Sequence, residues 1–169
     1  MKQTGVIRRM DSLGRLVIPR EFRKAQKIKE GDPLEICLLE NNDMLVRPIN
    51  LGTKLIDASR PVIKELSSAI ECSVILSDTE NYIYTSGVSY SEVISSSLDS
   101  TVALNLKNRK NFSGEIALLN TNLNCHAFPI FADDIYGALI IVSEQSFESW
   151  KVKVATMAVN IIKDSIQKF

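Results

Sequence analysis

Nine basic side chains crowd the first 29 residues. Lys2, Arg8, Arg9, Arg15, Arg20, Arg23, Lys24, Lys27 and Lys29 stand against only Asp11 and Glu21, a net +7. Cations at this density suit the neutralisation of a polyanion, such as a nucleic-acid backbone. On charge alone, a solvated face fits equally well. The asymmetry is local: residues 30–50 carry −4 and the remainder −3, so the 169-residue chain is formally neutral.

A second candidate for chemistry is the adjacent pair Cys125 and His126, the latter the only histidine. Cysteine beside histidine can serve nucleophilic catalysis or hold a metal. Neighbours in a strand point to opposite faces, however, and no third group is spaced to orient them. Cys125 also lacks a basic neighbour to lower its pKa for redox sensing. With Cys37 and Cys72, the cysteines are odd in number and far apart, which suits neither a disulfide framework nor a C-x-x-C motif. No P-loop, Rossmann glycine set or zinc motif appears. The sequence predicts a protein that is not an enzyme and takes no metal or cofactor.

Elements must position these residues, and the chain offers two textures. Residues 1–50 are charged and turn-rich. Thr4 to Arg9 and Arg15 to Ile18 read as short strands around Asp11-Ser12-Leu13-Gly14. Pro19 opens a short helix over REFRKAQ. Glu30-Gly31-Asp32-Pro33 is a turn, and LEICLLE and MLVRPI form a hairpin. Fifty residues in four short strands cannot close a core alone, so this module is expected to dimerise.

Residues 51–55 read as a linker. Ile56, Ser59, Ile63, Leu66 and Ile70 then recur at helical spacing. CSVILSD and NYIYTSG are strands around Asp78-Thr79-Glu80, and a helix is expected near Glu92 to Leu98. EIALLN, CHAFPIF and IYGALIIVS are three further strands, the last two joined through Ala132-Asp133-Asp134. A closing helix spans about Phe147 to Phe169, with an apolar stripe of Trp150, Val154, Met157, Ala158, Ile161, Ile162 and Ile166. The fold class predicted is α+β: a module at 1–50, a linker, and a sheet domain at 56–169 flanked by helices. With 45% hydrophobic residues the chain can bury one or two cores. No stretch approaches the roughly 18 apolar residues of a membrane helix. The charged start does not read as a signal peptide, so a reducing cytoplasm is expected.

The segment TGVIRRMDSLGRLVIPREFRKAQKIKEGDPLEICLLENNDMLVRP resembles the AbrB-type swapped-hairpin family of transition-state regulators. The resemblance implies that four strands from each of two chains interdigitate into a dimeric β-barrel whose basic face grips double-stranded DNA. Matched by position, the family's DNA-contacting arginines fall on Arg8, Arg15 and Arg23. Lys24 follows where a relative often has arginine, keeping the charge but losing the planar fork. Arg9 and Arg20 are expected accessory contacts, and Asp11 is expected to cap its turn or orient an arginine; the other reading of the set is that some of these arginines pair with Asp11 or Glu21 within the dimer. With no long recognition helix and few Asn or Gln in the segment, DNA shape and deformability are expected to be read more than base edges.

The second region, closing on FPIFADDIYGALIIVSE, resembles GAF domains. That likeness implies a small molecule between sheet and helices, with Tyr84, Ser86, Phe112, Leu118, Cys125 and Phe128 as lining candidates. Plain core is the other reading of each. An Asn-Lys-x-Asp-Glu signature is not visible, so no cyclic nucleotide is expected. The end helices are expected to pair across a subunit boundary, making a homotetramer from two homodimers; packing on their own domain is the other reading. The predicted function is a DNA-binding transcription regulator, activator and repressor, of sporulation by resemblance, associated with the nucleoid. The alternatives are an antitoxin, which would carry a disordered toxin-wrapping tail, and a protein-contact sensor that uses the basic module only to dimerise.

Overall fold

The computed structural model of the chain describes residues 5–49, 51–87, 91–132 and 134–167. They divide into two compact units, Met1–Ile49 and Asn50–Phe169.

In the first unit, Pro19 precedes helix α1 (Arg20–Ala25) with φ −57°, the value its ring imposes. The Arg23 N–H donates to the Pro19 carbonyl at 3.0 Å and so closes the first turn. Strands β1 (Leu34–Leu38) and β2 (Met44–Pro48) form an antiparallel hairpin that sets Ile36 opposite Val46. Gly31, with φ +86°, supplies the left-handed residue of the turn before β1. Residues 5–9 and 15–18, expected as strands, pair with no strand among the described residues, and Thr4 lies outside them. A strand exists only where a neighbour takes its backbone hydrogen bonds. The described residues offer these two segments no such neighbour.

The second unit is a five-stranded antiparallel sheet in the order β4-β3-β7-β6-β5. Its strands are β3 (Ser73–Ser77), β4 (Tyr82–Ser86), β5 (Phe112–Leu118), β6 (Thr121–Phe131) and β7 (Ile135–Ser143). Helices α2 (Leu51–Ile70) and α4 (Ser149–Gln167) pack on each other and on one face. There Leu55, Ile63, Leu66 and Ile70 meet Val74, Leu76, Leu139 and Ile141. Helix α3 (Ser100–Lys107) and a 3₁₀ turn at Ser91–Val93 cover the other face, over Ile75, Ile140 and Val142. Alternation along β3 and β7 divides the residues between the two cores. Pro129 sits beyond Ala127, where β6 has lost β5 and keeps only β7, so its missing N–H breaks no ladder on that side.

The α+β class and the helix–strand–strand order with a closing β6–β7 hairpin are as expected, but several bounds are not. Residues 51–55 are no linker. They are the first turns of α2, because Leu55 extends the apolar stripe one turn and is fully buried. Pro61 therefore lies in the helix interior. The helix expected near 92–98 is instead α3 at 100–107. Asp99 caps it, accepting from the N–H groups of Thr101 at 2.8 Å and Val102 at 3.2 Å. The expected turn residue Asp133 and the last residues of the closing helix lie outside the described residues.

Candidate nucleic-acid interface

The tightest local structure in the basic segment is built around Asp11. Its Oδ1 accepts from the backbone N–H of Leu13 at 3.0 Å and of Arg15 at 2.8 Å. Its Oδ2 accepts from Arg15 Nε at 2.8 Å. Two backbone bonds close the same turn, Asp11 N–H to Arg15 O and Gly14 N–H to Asp11 O, each 3.0 Å, with Gly14 at φ +76°. The Arg15 N–H and guanidinium together hold the Asp11 carboxyl below its usual range. Asp11 thus both caps the turn and orients an arginine.

Arg8, Arg9, Arg15, Arg20, Arg23 and Lys24 are all exposed. Arg20, Arg23 and Lys24 ride on α1, while Arg8 and Arg9 precede the Asp11 turn and Arg15 ends it. One acidic residue of this unit pairs outside the basic segment. Glu35 on β1 pairs with Arg47 on β2, with Nε and Oε2 2.7 Å apart, across a register of directly opposed residues.

Many apolar residues of this unit are as open as the charged ones. Among the described residues 5–49 none is buried. Ile7 is 93% exposed, Val17 73% and Leu38 71%. Val6, Leu16, Ile18, Phe22, Leu45 and Val46 line an open groove of about 560 Å³.

In the second unit, the six residues expected to line a ligand space do not converge. Tyr84 and Phe128 belong to the core under α2 and α4. Ser86 faces α2 too, where its hydroxyl shares a 2.8 Å hydrogen bond with Ser67. Phe112, Leu118 and Cys125 belong to the opposite core, under α3. The sheet itself separates the two groups, and burial pushes the Cys125 thiol up to about 12. Among the described residues, one open groove on this unit lies elsewhere. A groove of about 440 Å³ runs beside α3, lined by Thr79, Ser100, Ala103, Leu104, Lys107 and Ile135. No periodicity marks that groove, since α3 lies at Ser100–Lys107, beyond the helix expected near 92–98.

Among the described residues no cluster of His, Cys, Asp or Glu could hold a metal ion. No helix among them is long and apolar enough to cross a membrane.

The family model described as "Antidote-toxin recognition MazE, bacterial antitoxin" matches residues 7–54. Transition state regulatory protein AbrB of Bacillus subtilis (strain 168) is 56% identical over 36 residues, 21% of this chain and 38% of that protein. Among solved structures, an IclR homologue from Microbacterium hydrocarbonoxydans, complexed with 4-hydroxybenzoate, matches with TM-score 0.57 and 10% identity over 88% of this chain and 83% of that one. That likeness concerns the fold alone. Stage V sporulation protein T of Bacillus subtilis (strain 168) is 31% identical over 153 residues, 85% of this chain and 86% of that protein. The chain therefore belongs to the stage V sporulation protein T family, with an AbrB- and MazE-type module at its N-terminal end.

Proposed function

We propose that this protein is a DNA-binding transcription regulator of sporulation, acting in the cytoplasm as activator at some promoters and repressor at others. Two copies of residues 1–50 share one core, and their doubled cations form the face that meets double-stranded DNA. The observation that carries this reading is the unburied first unit: a module whose Ile7 and Val17 stay in water is half of something. Burying each such side chain against a second copy contributes about 1.5–3 kcal/mol. Arg8, Arg15, Arg23 and Lys24, with Arg9 and Arg20 beside them, then contact phosphates from both copies. The 1–50 module, and the sheet domain after it, are taken as the units of this function.

The second domain adjusts assembly. The outer face of α4 keeps Trp150, Met157 and Ile161 exposed at heptad-like spacing, which supports pairing of two dimers into a tetramer. The groove beside α3 is the better candidate for a small-molecule site than the six residues split by the sheet.

An antitoxin reading draws on the family model over residues 7–54. Against it, residues 51–87, 91–132 and 134–167 form helices and a sheet around two cores, unlike a toxin-wrapping tail. Charge reversal at Arg8, Arg15 and Arg23 separates the readings. Loss of duplex DNA retention with an unchanged oligomeric mass supports regulation through DNA. Retention equal to wild type overturns it.

A further inference from the structure

The basic segment holds only two acidic residues, and one of them, Asp11, is bonded to a cation expected to meet DNA. For plain charge neutralisation this is counterproductive, since a carboxylate on the face repels phosphate and offsets Arg15. The geometry explains its presence. Asp11 Oδ1 is fixed by two backbone N–H groups, so the carboxylate is itself rigid. Oδ2 then takes Arg15 Nε and leaves the two terminal nitrogens of the guanidinium free of that bond. Those nitrogens form the end-on edge of the fork, the edge that matches two oxygens of one phosphate. Arg15 nevertheless keeps a largely exposed side chain, 72% against 43% for Asp11, so the fork is open to a ligand.

We propose that Asp11 is a positioning residue for DNA selectivity: it locks the Arg15 fork so that a phosphate must come to a fixed point. This rests on the DNA-binding reading above. A loose arginine follows the backbone wherever the duplex runs and binds every sequence alike. A locked arginine makes the duplex deform to meet it, and the cost of deformation depends on sequence. Asp11 trades some general affinity for discrimination.

Asp11→Asn tests this with the turn retained, because the amide oxygen still accepts from Leu13 and Arg15 N–H while the hold on Nε is lost. The full-length protein is challenged with a fully randomised duplex library, and the affinity for selected duplexes is divided by that for unselected ones. The variant is expected to bind unselected duplex at least as well as wild type, having lost a negative charge. Its selectivity ratio is expected to fall about tenfold, the scale of one charge-assisted contact. Arg15→Lys, which keeps charge without a fork, is expected to lose a similar ratio, and adding Asp11→Asn to it changes nothing further. A ratio unchanged in Asp11→Asn overturns the proposal. So does a parallel fall for selected and unselected duplexes, or two substitutions whose effects multiply. Wild-type protein that retains DNA without enriching any sequence sinks the selectivity role alone. Wild-type protein that retains no duplex removes the DNA-binding reading itself.

Discussion

Cys125 and His126 are chain neighbours with different environments. Cys125 is buried in the core under α3, 1% exposed. The His126 ring stacks on Phe128 at 6.3 Å and meets Phe147 edge-on at 5.1 Å, on the α2–α4 side of the sheet. The two cannot share a proton, and with the thiol pushed up to about 12 the nucleophilic thiolate is scarce. Cys125 is therefore expected to resist alkylation by iodoacetamide in native protein and to react fully on unfolding. Peptide mass mapping checks this. Labelling of Cys125 as fast in native as in unfolded protein would contradict the placement.

His126 gives the second domain a pH dependence. Burial lowers its pKa, while its Nε2 lies 3.4 Å from Ser113 Oγ. The unfolded chain therefore binds a proton more readily than the fold. Stability from this group is complete above the ordinary imidazole value of roughly 6.5 and falls as pH drops from there through the folded value. Thermal melts are expected to shift down over that window in wild type. The same melts of His126→Phe should be flat there, and an equal slope in both assigns the effect to other groups.

Gly137 on β7 has φ +154°, and a Cβ there would overlap the Ser77 carbonyl oxygen and lie 2.9 Å from Leu55 Cδ2. Neither the β3 backbone nor the buried leucine can give way cheaply. Gly137→Ala is expected to destabilise the second domain by about 2–4 kcal/mol in urea unfolding. A midpoint within error of wild type would show that β3 and β7 are not so close.

The outer stripe of α4 predicts a change in mass. Met157→Glu with Ile161→Glu places charges on exposed positions, 64% and 53%, so the fold of one subunit should be undisturbed. Light scattering is expected to show half the wild-type mass, with the melting temperature of the second domain unchanged at high dilution. Wild-type mass in the double variant would contradict the proposed pairing through α4.

Much of this molecule was legible because turn and cap chemistry are local. Pro19 and the Glu30–Pro33 turn bracket α1 and β1, and β7 follows its own apolar run over Ile135–Ser143. Two of the failures depended on partners distant in sequence, and one on a local cap hidden among serines. Residues 5–9 and 15–18 have strand-like sequence, but among the described residues no strand pairs with them. The start of α3 turned on Asp99 acting as a cap within a serine-rich stretch. The side of the sheet that Tyr84 or Leu118 faces turned on strand register, which one residue inverts. For the basic residues, sequence supplied the types and their crowding. Only the structure supplied the bond that makes Arg15 unlike the others.

The composite cationic face is tested most directly by measuring duplex affinity of the full-length protein against salt concentration. Each neutralised phosphate contributes a slope of about −0.9 to the double-logarithmic plot. With Arg8, Arg15, Arg23 and Lys24 doubled across a dimer, a steep slope of roughly −5 or beyond is expected, falling markedly in the Arg8, Arg15 and Arg23 charge reversals. A nearly flat line, or a steep one that the reversals leave untouched, would contradict a DNA-binding surface built from these residues.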